Sequence, residues 1–160
     1  MPSDSSTAAI EASSAPARVP RFTFPEPLVS LMRDRSRHPL GDHFGLTHFG
    51  VNLTRLPPGS ISAPRHCHSL QDEFVFILEG TPVLVTSAGE TPLHPGMCAG
   101  FRAGSGNAHQ LRNQSNAMVV YLEIGDRTAG DVVTYPDDDI KFDKTPDGRV
   151  QIVRKDGSPY

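Results

Sequence analysis

Between residues 46 and 125 no stretch sustains a helical 3.6-residue period over three turns. Short apolar runs take its place: LTHFGVNLTRL (46–56), ISAPRHCH (61–68), EFVFILEG (73–80), PVLVTS (82–87), MCAGF (97–101), AHQLRN (108–113) and AMVVYLEIG (117–125). PPGS, SAGE, HPG and GSGN stand between them, and each is turn chemistry. Runs rich in Val, Ile, Phe and Thr, closed at short intervals by turns, predict an antiparallel sandwich or barrel. The 14 Gly and 15 Pro of the 160 residues fit this punctuation, and they fall far short of a collagen-like or low-complexity chain. No stretch reaches the roughly 18–20 apolar residues of a membrane-spanning helix. One domain of ordinary size follows.

The two ends read differently. Residues 1–20 are Ser/Ala/Pro-rich with almost no large apolar side chains, which predicts a disordered tail. Residues 21–45 bring back Phe22, Phe24, Leu28, Val29, Leu31 and Met32, a lead-in segment expected to pack on the barrel with one short helix at Pro27–Arg33. Residues 126–160 form a C-terminal extension. Within it Ile140 and Phe142 alternate with Lys141 and Asp143, and Thr145-Pro146-Asp147-Gly148 is a turn, so a terminal hairpin is expected.

Charge excludes some partners. Fifteen Lys+Arg against 18 Asp+Glu give a formal net charge of −3 with no basic stripe, so no nucleic-acid partner is expected. Cys67 and Cys98 form neither a disulfide framework nor a structural zinc pattern, and they read as small buried hydrophobes, with a bridge between them left open. Asp4 stands early and no apolar core segment follows, so the expectation is a cytoplasmic protein without a secretory signal and without membrane contact.

Chemistry concentrates in the histidines. Seven are present, and His66 and His68 sit two apart in a predicted strand, on one face, with Cys67 on the other. Glu73 opens the next strand after a polar stretch of turn length, and His109 follows the flexible GSGNA segment. Asp72 is the rival carboxylate, which parity alone does not separate from Glu73, because EFVFIL is apolar on both faces. His38, His43, His48 and His94 have no companion at ligand spacing. Asp137-Asp138-Asp139 reads as a solvated turn.

HCHSLQDEFVFILEG resembles the first motif of the cupin superfamily, with His66, His68, Glu73 and Gly80 in its positions, and Gly106-Asn107-Ala108-His109 with Asn113 resembles the end of the second. The resemblance covers about residues 45–125. Spacing departs from the pattern around Gly59, Gly96 and Gly104, all in turns. The resemblance implies an all-β antiparallel jelly-roll barrel over 46–125 holding one divalent metal ion on His66, His68, Glu73 and His109. Such a ligand set suits Fe, Mn, Ni or Zn.

From this follows a metal-dependent enzyme acting on a small oxygen-rich molecule by dioxygenation, decarboxylation or isomerisation. Glu73 is the candidate proton shuttle, and Arg102 and Gln110 are candidate substrate contacts. A non-catalytic small-molecule binding or sensing module is the alternative. A sugar-phosphate isomerase type ranks below both, because it wants converging Lys or Arg. Arg65 and Arg112 have the wrong parity, which leaves only Arg102 and Arg55. The doubly apolar strands also suit a sheet-to-sheet contact, so a homodimer is expected.

Overall fold

The computed structural model describes residues 8–19, 23–145 and 147–160. Its strands in chain order are β1 (Ser36–Pro39), β2 (Phe49–Leu56), β3 (Cys67–His68), β4 (Glu73–Glu79), β5 (Val83–Thr86), β6 (Gly89–Pro92), β7 (Cys98–Phe101), β8 (Gln110–Arg112), β9 (Val119–Asp126), β10 (Val133–Thr134), β11 (Lys141–Lys144) and β12 (Val150–Val153). Two single-turn helices, α1 (Leu28–Leu31) and α2 (Leu40–His43), flank β1.

One sheet runs β1-β2-β9-β4-β7, a second runs β6-β5-β8, and every pairing is antiparallel. Loop backbone extends the second sheet. Ser62 N donates to Leu111 O at 2.8 Å, His66 and His109 exchange both backbone bonds at 3.1 and 2.8 Å, and β3 pairs with β10. The all-β antiparallel jelly roll expected from the sequence is the fold observed.

Alternation decides which side chains enter it. Along β4, Glu73, Val75 and Ile77 point inward, while Phe74, Phe76 and Leu78 point out. Val75 and Ile77 join Leu56, Leu84, Leu93, Leu111, Val119 and Tyr121 in a core between the two sheets. Each such side chain contributes about 1.5–3 kcal/mol by leaving water. The outer face is not closed as the apolar run suggested, since Phe74 is 38% and Leu78 39% exposed.

Gly80 ends this strand at φ +79, where an added Cβ would stand 2.6 Å from the Met118 carbonyl oxygen. Only glycine fits there.

The ends of the chain build a second core. Leu28, Met32, Ile61, Tyr135 and Ile140 are buried together, with Phe24, Phe142 and Ile152 against them. The short helix expected at Pro27–Arg33 is α1, and the expected terminal hairpin is β11 and β12; Pro146 of its turn lies outside the described residues.

The N-terminal stretch differs from expectation. Residues 1–7 and 20 lie outside the described residues, but within 8–19 both Ala15 and Arg18 are tied to β1. Arg18 N donates to Arg37 O at 2.7 Å, His38 Nδ1 meets Ala15 O at 2.6 Å, and Ala15 is buried. Free backbone groups on an edge strand provide this anchorage where apolar side chains are lacking.

Three smaller readings also change. Residues 61–68 form a regular strand only at Cys67–His68, because Pro64 has no N–H for a ladder. SAGE opens β6, an exposed polar edge strand with no alternation to reveal it. Both cysteines are free, Cys67 half-buried and Cys98 exposed on edge strand β7. No helix among the described residues is long and apolar enough to cross a membrane.

Candidate metal centre

Four side chains from three places in the chain meet at one end of the interior. His66 and His68 arrive from the same face of extended backbone, Glu73 is the first residue of β4, and His109 precedes β8. The backbone bridge between His66 and His109 brings their rings to 4.7 Å, and the rings of His66 and His68 lie 5.2 Å apart. Phe101 stacks flat on His109 at 3.5 Å.

All three Nε2 atoms converge on Glu73 Oε2, at 2.9 Å for His109, 3.4 Å for His68 and 3.5 Å for His66. His66, His68 and Glu73 form a cluster whose ligand atoms lie mutually within 4.8 Å, and His109 joins through its contact with Glu73. Asp72, the rival carboxylate, is used otherwise: its Oδ1 accepts from Ala103 N at 2.7 Å. His38, His43, His48 and His94 stay outside the cluster, as expected.

The outer nitrogens show what the inner ones are for. His66 Nδ1 lies 2.9 Å from the Pro64 carbonyl oxygen and His68 Nδ1 lies 2.6 Å from Asp131 Oδ2. Both partners only accept, so each Nδ1 carries a hydrogen, and whenever the ring is neutral its Nε2 lone pair faces inward. Lone pairs facing a carboxylate oxygen need a cation between them. A proton satisfies one nitrogen at a time, whereas a divalent ion satisfies them all. Glu73 Oε2 and His109 Nδ1 are moreover buried without a well-directed hydrogen bond. The donor set is compatible with a metal site, and an outward partner on each of two ligating rings is what such sites carry.

Charge inside the cluster is strongly coupled. Burial would lower His68, but the bonds and charges of Glu73 and Asp131 outweigh it, and the ring is raised to about 9. Burial would raise Glu73, yet the imidazoles of His109, His66 and His68 crowding its oxygen hold the carboxyl far below the usual range. His109 is lowered, first by burial.

The cluster opens into a cavity of about 720 Å³. Val75, Leu111 and Phe24 supply apolar wall, and Tyr135, 5.9 Å from the His66 ring, closes one side. Five arginines line the same cavity: Arg18, Arg33, Arg35, Arg37 and Arg127. None comes from the motif-bearing runs, so a reading of those runs missed them. The two expected substrate contacts lie elsewhere. Arg102 borders a small crevice behind the cluster with Cys67 and Asn107. Gln110 is buried with both ends occupied, Nε2 by Ala63 O at 2.6 Å and Oε1 by Arg112 Nε at 2.7 Å. Arg65 faces away as expected, gripping Asp137 with two bonds at 2.6 and 2.7 Å.

Comparison with known proteins agrees with this geometry. A family model described as "Cupin domain" matches residues 52–125. A sugar phosphate isomerase from a cupin superfamily of Silicibacter pomeroyi is 42% identical, with a TM-score of 0.84 over 95% of this chain and 96% of that one. A structure from Acidithiobacillus ferrooxidans, carrying sugar phosphate isomerase as a provisional designation, is 32% identical, with a TM-score of 0.67 over 75% and 76% of the two chains. A polyketide cyclase from Streptomyces resistomycificus shares the fold alone, at 15% identity and a TM-score of 0.60 over 75% and 79% of the two chains. No match was found among curated proteins.

Proposed function

The chain belongs to the cupin superfamily, and from that premise we propose that it is a metal-dependent isomerase of a small phosphorylated sugar. The observation that carries the metal is the inward orientation of Nε2 on His66 and His68, fixed by Pro64 and Asp131 and aimed at Glu73. His66, His68, Glu73 and His109 would hold one divalent ion, of the Fe, Mn, Ni or Zn kind expected from the ligand types. Such an ion supplies Lewis acidity toward vicinal oxygens of a substrate.

The reaction class is supported by the cavity and by the relatives. Sequence reasoning ranked sugar-phosphate isomerisation last for want of converging cations. Five arginines on the cavity wall remove that objection, and two similar structures carry that designation. Residues of the chain divide the work. The guanidiniums attract an anion, Val75 and Leu111 keep the wall dry, and the Tyr135 hydroxyl, pushed up by burial, keeps its proton at neutral pH and so serves as a hydrogen-bond donor beside His66. Glu73 fits a ligand better than the expected proton shuttle, because all three imidazoles meet on its Oε2.

Elemental analysis of the purified protein, then aldose–ketose interconversion followed by NMR across a panel of sugar phosphates, tests this. Turnover should vanish on chelation and return with one ion. Oxygen uptake or carbon dioxide release in place of interconversion, or activity without bound metal, overturns it.

A further inference from the structure

The cavity contains more positive charge than its carboxylates balance. Among the described residues, Asp42 and Glu123 are the carboxylates besides Glu73 on a wall with five arginines. Asp42 is shared by Arg18, at 3.1 Å, and Arg127. Arg37 Nη2 donates to Glu123 Oε2 at 3.0 Å, and Arg33 donates to Ser30 Oγ at 3.2 Å. Arg35 is left over. Among the described residues no carboxylate pairs with it, and its Nη1 is buried without a hydrogen-bond partner. Arg37 Nε is buried and unsatisfied as well.

A guanidinium does not shed its charge, so burying one without an anion is among the costliest features a fold keeps. Arg35 immediately precedes β1 and Arg37 lies within it, opposite Thr54 of β2, which stands opposite Tyr121 of β9, and both side chains line the same cavity. Two like charges side by side with donors unspent are repaid by one event, the arrival of an anion that bridges both. A tetrahedral phosphate offers more acceptor oxygens to two forks than a planar carboxylate does. The exposed Arg18, Arg33 and Arg127 make the approach attractive to the same charge.

We infer that Arg35 and Arg37 form the subsite that anchors the phosphate ester of the substrate, leaving its oxygen-bearing end to His66, His68, Glu73 and His109. This rests on the reading of a phosphorylated substrate, and it assigns substrate selection to the lead-in segment, outside residues 52–125 that match the family model.

The test is calorimetric titration of inorganic phosphate into the full-length, metal-loaded protein and into Arg35→Gln, with Arg35→Met as the second variant should the first not fold. The expected result is at least a tenfold loss of phosphate affinity, an unchanged metal content, and a melting temperature equal to or above wild type, because an unpaired buried charge has gone. A merely structural Arg35 gives the opposite pattern, a lower melting temperature with phosphate affinity unmoved, and that overturns the assignment. Acetate competing as well as phosphate also overturns it, in favour of a carboxylate ligand.

The isomerase reading fails separately. Phosphate binding that depends on Arg35 in a protein that interconverts no sugar phosphate keeps the subsite and removes the reaction. Interconversion with an unchanged KM in Arg35→Gln does the reverse.

Discussion

Asp131 offers the sharpest test of the metal centre, because it touches the site without belonging to it. Its carboxylate accepts from His68 Nδ1 at 2.6 Å on one oxygen, and from Leu70 N at 2.8 Å, Gln71 N at 3.3 Å and Ser69 Oγ at 3.3 Å on the other. Asp131→Asn keeps the shape and removes one acceptor. If the amide oxygen faces His68, the NH2 is driven against two backbone N–H groups. If the oxygen faces the loop, three bonds survive and the NH2 faces His68 Nδ1. The second arrangement wins, and it moves the imidazole hydrogen to Nε2, the nitrogen aimed at Glu73. Restoring the metal-binding tautomer then gives up the amide–imidazole bond and leaves two donors face to face, about 1.5–3 kcal/mol. That corresponds to a loss of roughly 10- to 150-fold in metal affinity.

Competition with a chromophoric chelator reads this loss, and long-range ¹⁵N spectra of His68 read the tautomer directly. The melting temperature should move little, about 2–4 °C per kcal/mol of lost stability in a domain of this size, since the loop bonds remain. Asp126→Asn is the control. Asp126 accepts from Asp72 N and Thr128 N, each at 2.8 Å, at the same loop cluster and with no hydrogen bond to a histidine. Metal affinity within twofold of wild type in Asp131→Asn, or an equal loss in Asp126→Asn, refutes the tautomer argument.

Other perturbations reach different parts of the molecule. Exchange of His66, His68 or His109 for Ala should abolish metal retention by elemental analysis while circular dichroism stays native; a variant that keeps a full complement of metal removes that residue from the ligand set. Gly80→Ala places a Cβ 2.6 Å from Met118 O and 2.8 Å from Val119 Cγ2 at φ +79, so it should cost at least about 2 kcal/mol, seen as a lower denaturation midpoint. The Arg127 bond, joined by Arg18, holds the Asp42 carboxyl below its ordinary 3.8, against a smaller effect of burial. Stability from this pairing is therefore present above that value and lost as the pH falls through the lower folded one, and Asp42→Asn should flatten the acid limb of a melting-temperature profile. The expected homodimer is read by light scattering. Phe74→Lys with Leu78→Lys, on the exposed outer face of β4, should halve the mass, and a wild-type monomer at about 100 µM, well above typical specific affinities, refutes the dimer.

The barrel and its ligands were legible because their signals are local. Alternation along β4 sorts inward from outward side chains, a two-residue step puts His66 and His68 on one face, and Gly80 stands where a Cβ collides with Met118. Asn113, taken from the second motif, closes the barrel end, its Nδ2 donating to Leu56 O at 2.8 Å and to Ala117 O at 2.7 Å. Asp131 was not legible, because its partner is 63 residues away and nothing in GDVV announces a hydrogen bond to an imidazole. The anchorage at Ala15 and Arg18 was hidden for a related reason. The segment's composition denies it a core of its own, but it does not need one when Arg37 O, on edge strand β1, accepts from Arg18 N.

The arginines make the deeper case. Parity turns Arg65 away from the ligand face, and Arg65 grips Asp137 outside. The same rule would have placed Arg35 and Arg37 on one face, yet SRHP carries no apolar alternation to say which face is inside. Register supplies that answer: Arg37 stands opposite buried Thr54, and Thr54 opposite buried Tyr121. A barrel interior closed by apolar residues at every inward position would have been more stable. Keeping Arg37 and Glu123 there, with Arg35 beside them and unpaired, sets a cost in folding free energy that packing alone gives no reason to bear. A ligand that brings negative charge to that wall is such a reason, so the unpaired arginine of the cavity is also the group that says most about what the cavity receives.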